Sequence, residues 1–125
     1  MQAKFLNDYT DVRILREREG MFRVLNPVSF QSAKFERVFT VPSGYDTDFA
    51  SIPQFLKDRI DVNGRHREAA IVHDYGCTNG DEWGLTQKQV DGLLLEAMTA
   101  LGVGRITRTL MYYGVRGYQS VKGLF

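Results

Sequence analysis

The segment REAAIVHDY, residues 67–75, constrains the fold of this chain more than any other. Its apolar residues surround the helical wheel almost completely, which predicts a short helix that is buried on most sides. Other elements must cover such a helix on nearly every face. The rest of the chain is therefore expected to pack around it.

The N-terminal third has the alternating pattern of antiparallel strands. The segments VRI at residues 12–14 and FRV at residues 22–24 each place an arginine between two apolar residues, and a turn signal at Glu19-Gly20 separates them. A further β-rich run, FERVFTV at residues 35–41, ends at the turn signal Pro42-Ser43-Gly44. These patterns predict a small antiparallel β-meander.

A second helix is predicted to begin after Thr86. Thr86 with Gln89 three residues later has the pattern of a capping box, in which hydroxyl and amide satisfy each other's backbone donors. Gly102 is the expected stop of this helix. Before it, glycines 76, 80 and 84 with Asn79 predict a flexible link.

A third helix is predicted from about Arg105 to Tyr118. Its expected buried positions are Ile106, Leu110, Tyr113 and Val115. Three helices packed against a small antiparallel sheet make an α+β domain, and 125 residues suffice for one core, so residues 1–125 are expected to form a single domain.

Composition excludes several classes of protein. The formal net charge of +1 gives no general attraction to nucleic acid or anionic lipid, so nucleic acid is not an expected partner. Four cations after Glu96 are interpreted as a solvated helix face: Arg105, Arg108, Arg116 and Lys122. No long apolar run or leader is evident, so neither a membrane span nor export through a signal peptide is expected. The single cysteine, Cys77, fits a reducing compartment and is interpreted as a small buried residue.

Polar side chains fall inside the apolar arcs of two predicted helices. On the second helix Asp91 lies between Leu94 and Leu95 in angle. On the buried helix His73 and Asp74 lie among alanines and Ile71. Burying an ionised carboxylate without a partner costs several kcal/mol. These groups must therefore pair with one another, with backbone or with a metal ion.

Geometry limits the pairings. His73 and Asp74 are adjacent on a helix and project about 100° apart, so each needs its own partner. His73 is predicted to face Asp91, whose carboxylate would fix the imidazole tautomer and leave the other ring nitrogen as a base. Asp74 is predicted to face the loop GYDTDFASIP, where Asp48 would join it around Ca²⁺ or Mg²⁺, or loop amides would satisfy it.

A structural interpretation competes with the functional one. A buried histidine is commonly a satisfied structural residue, and an aspartate after a threonine in a turn commonly bonds local backbone. Thr47 and Ser51, the candidate binding residues of the loop, are equally typical of turn caps. Both interpretations stay open at this point.

Four segments together resemble a known family: FTVPSGYDTDFASIP (residues 39–53), AAIVHDY (69–75), VDGLLLEAM (90–98) and MYYGVRGY (111–118). They are similar to domain of unknown function 1353, which is found in bacteriophages and prophages and has no established activity. The resemblance implies a phage-associated protein in the host cytoplasm or the virion. It places the family's polar positions on Thr47, Asp48, Ser51, His73, Asp74 and Asp91.

Two functional hypotheses follow. The first is a hydrolase-like site with His73 and Asp91 as the catalytic pair, in which His73 activates a water and Asp48 and Asp74 bind a divalent cation. The second is a virion component of the tail, baseplate or head-tail region, in which the same cluster is a structural polar network. In that case other virion proteins are the partners, and the candidate contact residues are Trp83, Tyr112, Tyr118 and Phe125.

Overall fold

A computed structural model describes residues 1–15, 20–48 and 66–122, with side chains as far as residue 117. Within these ranges, short strands precede three helices. The strands are β1 Lys4–Phe5, β2 Val12–Ile14, β3 Phe22–Val24, β4 Val28–Ser32, β5 Arg37–Val41 and β6 Asp46–Thr47. The helices are α1 Arg67–Trp83, α2 Gln87–Ala100 and α3 Arg105–Lys122. This is the predicted α+β class.

The strands form two antiparallel sheets of three strands, in the orders β1-β4-β5 and β2-β3-β6. The predicted hairpin is present, with Val12 opposite Val24 and Ile14 opposite Phe22. Glu19 of its predicted turn lies outside the described residues. The strands predicted as one meander are divided between two sheets, because β5 pairs with β4 whereas β2 and β3 pair with each other and with β6.

The core lies between the β1-β4-β5 sheet and the helices. Strand β4 alternates between buried and half-buried residues, because Val28, Phe30 and Ser32 face the helices. Phe39 and Val41 of β5 are also fully buried. Helix α1 packs against β4 and β5 on one side and against α2 on another, and α3 packs on α2. The predicted burial of α1 on most sides is confirmed.

Helix α1 is longer than its predicted segment. It continues to Trp83, so the predicted flexible link at glycines 76 and 80 is wrong. Gly76 serves packing instead, because a Cβ at this position would lie 2.8 Å from Cγ1 of Val90 on α2. Non-helical dihedral angles occur at Asn79 (φ −122°, ψ 30°), near the C-terminal end of the helix.

Helix α2 begins as predicted. The Thr86 side chain accepts from the Gln89 backbone N–H, and the Gln89 side chain accepts from the Thr86 backbone N–H, which completes the capping box. Gly102 follows the helix with a φ of 78°, in the left-handed region that favours glycine.

Helix α3 buries a different stripe from the predicted one. Val115 is buried as expected, but Ile106, Leu110 and Tyr113 are 79%, 46% and 68% exposed. Met111 is buried instead. Trp83, expected as an exposed contact residue, is 6% exposed because it packs against the rings of Phe39 and Tyr75. The side chains of Tyr118 and Phe125 lie outside the described part of the chain.

Among the described residues, no helix is both long enough and apolar enough to cross a lipid bilayer.

Candidate functional site

Helices α1 and α2 bring His73 and Asp91 into direct contact. Nε2 of His73 lies 2.7 Å from Oδ1 of Asp91, and neither side chain has any exposed surface. The two helices also approach closely at Gly76 of α1 and Val90 of α2, the residues three positions after His73 and one before Asp91. Two of the three polar side chains that interrupt the apolar faces of these helices, His73 and Asp91, therefore meet inside the core.

Further donors surround the Asp91 carboxylate. Nη1 of Arg116 on α3 donates to Oδ2 at 2.9 Å. The side-chain amide of Gln87, one turn earlier on α2, donates to Oδ1 at 2.9 Å. A buried carboxylate is tolerated when several donors replace its lost hydration. The Asp91 side chain therefore links all three helices through His73, Gln87 and Arg116.

The protonation of this pair follows from its surroundings. Burial disfavours the imidazolium, but the hydrogen bond to Asp91 and the nearby Cys77 outweigh burial and raise the pKa of His73 to about 9. Burial alone would raise the pKa of Asp91, whereas its bonds to His73 and Arg116 lower it below the usual value. Both shifts favour an imidazolium paired with a carboxylate at neutral pH.

Cys77 joins the cluster from one turn further along α1. Its Sγ lies 3.6 Å from Nε2 and 3.9 Å from Nδ1 of His73. The Gln87 side-chain amide donates to the same sulfur at 3.2 Å. Unlike His73 and Asp91, Cys77 is only half-buried. The sulfur is therefore the part of the cluster that lies nearer to solvent.

A cleft of about 200 Å³ opens beside the sulfur. Cys77 and Gln87 line it together with Asp81 near the end of α1, Leu85 in the connection to α2, and Val90. The change of backbone direction at Asn79 lies within the helical segment that borders this cleft. A small molecule or the end of an extended chain can thus approach Cys77, whereas it cannot touch His73 directly.

Asp74 belongs to a separate cluster on the other side of α1. Its Oδ2 accepts hydrogen bonds from the Tyr45 hydroxyl at 2.5 Å and from Oγ1 of Thr47 at 2.6 Å. Burial, with the bond to Asp74, raises the pKa of the Tyr45 hydroxyl. The carboxylate thus holds β6 and the turn before it against the helix. The approximately 100° between neighbouring helical positions explains why His73 and Asp74 face different elements.

The predicted cation site at Asp48 and Asp74 stays a prediction. Asp48 is exposed at the end of β6, whereas Asp74 is 7% exposed. In the described ranges, a group of three side chains able to hold a metal ion is formed by His73, Cys77 and Asp91. Neither Asp48 nor Asp74 is a member of that group. Thr47 contacts Asp74, and Ser51 lies outside the described residues.

Sequence reasoning misses four members of the two clusters: Arg116, Gln87, Tyr45 and Cys77, which is half-buried in the cluster rather than the small buried residue expected. Arg116 is interpreted from the sequence as part of a solvated face, whereas its guanidinium donates to the buried carboxylate of Asp91. Gln87 is the first residue of α2, four positions before Asp91, and that spacing places the two side chains on one face. The sequence does not indicate that Tyr45 contacts Asp74, apart from its position next to the polar loop residues.

Comparisons with known proteins assign a family and nothing finer. A family model described as "Protein of unknown function (DUF1353)" matches residues 22–115. No curated protein and no solved structure matches the chain significantly. The matched range contains His73, Cys77, Asp74 and Asp91, and it ends one residue before Arg116. Since the match covers well over half of the sequence, the chain belongs to the DUF1353 family.

Proposed function

We propose that this protein is a hydrolase-like enzyme in which Cys77 is the nucleophile and His73 and Asp91 maintain its charge environment. The observation that carries the proposal is the convergence of thiol, imidazole and carboxylate beside the cleft, with Sγ 3.6 Å from Nε2 of His73. Cysteine is an intrinsically strong nucleophile, and a thiol placed beside an imidazole at an open cleft is an arrangement typical of covalent catalysis.

Cys77 fits the role of attacking group better than a water activated by His73. The His73 side chain has no exposed surface, so a water in the cleft cannot reach its nitrogens without rearrangement. Its pKa of about 9 also leaves it protonated at neutral pH and unable to accept another proton. His73 is therefore a positioning and electrostatic residue in this proposal.

The reaction is an acyl transfer to sulfur followed by hydrolysis. Sγ forms a bond to the substrate carbonyl carbon as the bond from that carbon to the leaving oxygen or sulfur breaks. The leaving group takes a proton from water in the cleft. The resulting hydroxide then cleaves the thioester, which releases the acid and restores the thiolate. Because the buried imidazolium cannot reach a leaving amine, esters and thioesters fit this site better than amides.

Thiol reactivity tests the proposal, because the chain has one cysteine and every thiol adduct must lie at Cys77. We expect p-nitrophenyl acetate to acetylate Cys77 transiently, as seen by mass spectrometry of the intact protein. We also expect iodoacetamide to react at pH 7 at least tenfold faster with the native protein than with His73→Gln. Equal rates in the two proteins, or ester hydrolysis that survives Cys77→Ser, would refute the assignment.

A second candidate is a virion component in which the same cluster is a structural network. It is favoured by the complete burial of His73 and Asp91 and by the bonds through which Asp91 links three helices. The resemblance to phage and prophage proteins supports this role. The exposed stripe of Ile106, Leu110 and Tyr113 on α3 would then contact a neighbouring protein.

The two candidates differ in what they require of Cys77. Both expect His73→Gln to destabilise the fold, so stability alone does not separate them. A structural network expects ordinary thiol reactivity in the native protein and no acyl adduct. The hydrolase-like site expects an adduct that disappears in Cys77→Ser while the urea midpoint of that variant stays close to the native value.

A further inference from the structure

We infer that Cys77, His73 and Asp91 also form a binding site for a thiophilic divalent cation, with Zn²⁺ the ion whose ligand preferences fit best. One ligand atom from each side chain lies within 4.8 Å of the other two. Zn²⁺ binds thiolate, imidazole and carboxylate together, whereas Ca²⁺ and Mg²⁺ require oxygen ligands. The donor set at this place therefore selects against the cations predicted for Asp48 and Asp74.

The distances need little adjustment. Zinc lies about 2.3 Å from a ligating sulfur and about 2.0 Å from nitrogen or oxygen, so the ligand atoms of one tetrahedral ion are about 3.3–3.6 Å apart. The separation of 3.6 Å between Sγ of Cys77 and Nε2 of His73 already agrees with that geometry. The 2.7 Å between Nε2 and Oδ1 of Asp91 must widen by less than 1 Å as the ion replaces the shared proton.

The side-chain amide of Gln87 lies between two of these ligands, at a position that a cation could occupy. Its Nε2 donates both to Sγ of Cys77, at 3.2 Å, and to Oδ1 of Asp91, at 2.9 Å. One electropositive group thus already bridges the sulfur and the carboxylate oxygen. Gln87 also lines the cleft, so its side chain can turn outward and give an ion a path to the site.

Arg116 supplies the outer support that metal ligands commonly have. Its Nη1 holds Oδ2 of Asp91 at 2.9 Å and leaves Oδ1 directed at His73 and Gln87. Such partners of ligating carboxylates typically change metal affinity by about 10–100-fold. With three protein ligands, the fourth position of the ion would face the cleft and hold water or a small anion.

Metal binding would regulate the proposed reaction, and this consequence rests on the proposed function. A sulfur that coordinates Zn²⁺ donates charge to the ion and is a weaker nucleophile towards an acyl carbon than the free thiolate. The ion would therefore act as a reversible inhibitor at the nucleophile. The existence of the metal site itself does not depend on hydrolysis.

Titration of the metal-free protein with Co²⁺ tests the site directly. We expect one equivalent to bind, with a thiolate-to-metal charge-transfer band in the near ultraviolet that Zn²⁺ abolishes by displacement. We expect Cys77→Ser to lose the band and to bind at least tenfold more weakly by equilibrium dialysis, while Asp46→Asn, in the more exposed ion pair with Arg23, retains both. Absence of the band in the native protein, or unchanged affinity in Cys77→Ser, would overturn the inference.

A second measurement needs no variant. Saturation with Zn²⁺ is expected to shift the ring ¹⁵N resonances of His73 in the native protein, because a nitrogen loses its proton and gains the metal. Ring signals that stay unchanged at saturating Zn²⁺ would overturn the site even if metal bound elsewhere. Unchanged ring signals would refute the metal site but not the proposed nucleophile. Ordinary thiol reactivity of Cys77 would refute the nucleophile but not the metal site.

Discussion

Replacing Asp91 by asparagine should destabilise the protein in a strongly pH-dependent way. The substitution keeps the size of the side chain but removes the charge that holds the imidazolium of His73 and the guanidinium of Arg116. The pKa of His73 is raised from 6.5 to about 9 in the folded protein. A raised pKa adds stability that is fully present below pH 6.5 and is lost as the pH rises through about 9.

The magnitude follows from that shift. Each pKa unit corresponds to about 1.4 kcal/mol, so a shift of this size contributes about 3 kcal/mol at pH 6 and little at pH 9.5. The lost bond to Arg116 adds a further cost of about 1.5–3 kcal/mol at both pH values. Asp91 is the largest favourable cause of the shift, so we expect Asp91→Asn to cost several kcal/mol at pH 6 and clearly less at pH 9.5.

Urea unfolding followed by far-ultraviolet circular dichroism, with EDTA present, measures both values. The matched control is Asp46→Asn, which makes the same chemical change in a more exposed ion pair with Arg23. That pair should contribute no more than about 1 kcal/mol. A cost for Asp91→Asn that equals the control at pH 6, or that does not change between the two pH values, would refute the reasoning.

Three further substitutions test separate contacts by urea unfolding. Arg116→Ala removes a donor from a buried carboxylate and should cost about 1.5–3 kcal/mol, whereas an ordinary surface cost below 0.5 kcal/mol would contradict the ion pair. Gly76→Ala places a Cβ 2.8 Å from Cγ1 of Val90 and should cost about 1–3 kcal/mol, while Gly117→Ala, which meets open space, should be neutral or stabilising. Thr47→Val removes the hydroxyl that donates at 2.6 Å to the carboxylate of α1 and should cost about 1–3 kcal/mol; no loss would exclude that bond as an anchor of β6.

Local signals predicted much of the helical framework. The capping box of α2 depends only on residues three positions apart, so it could be found without knowledge of tertiary contacts. The positions of His73 and Asp91 inside apolar arcs could be found in the same way, because burial of an acid is anomalous on any helix. Both features are present at their expected places.

Tertiary packing determines which face of α3 is buried and what role Gly76 has, and the sequence patterns do not specify either. Helix α3 carries two apolar stripes, and periodicity cannot tell that Met111 and Val115 face α2 while Ile106 and Leu110 do not. Gly76 is predicted to belong to a flexible link because its role, the close approach to Val90 on α2, depends on a residue distant in sequence.

The contacts within the His73, Cys77, Gln87 and Asp91 cluster also depend on how α1 and α2 pack against each other. Cys77 lies one turn after His73, but only the approach of α2 brings Gln87 to both the sulfur and the carboxylate. The two helical acids have different partners: Asp74 accepts a hydrogen bond from Thr47 of β6, and Asp91 accepts one from Arg116 of α3.

The protonation state of His73 at neutral pH tests the central claim most directly. Long-range ¹H–¹⁵N spectra of the metal-free protein resolve both ring nitrogens, and His73→Gln distinguishes them from those of His66, the other histidine. The buried ion pair predicts that both His73 nitrogens carry protons from pH 6 to pH 8, with titration near 9. A His73 ring that is neutral at pH 7 would contradict the charged pair with Asp91 and the environment it provides for Cys77.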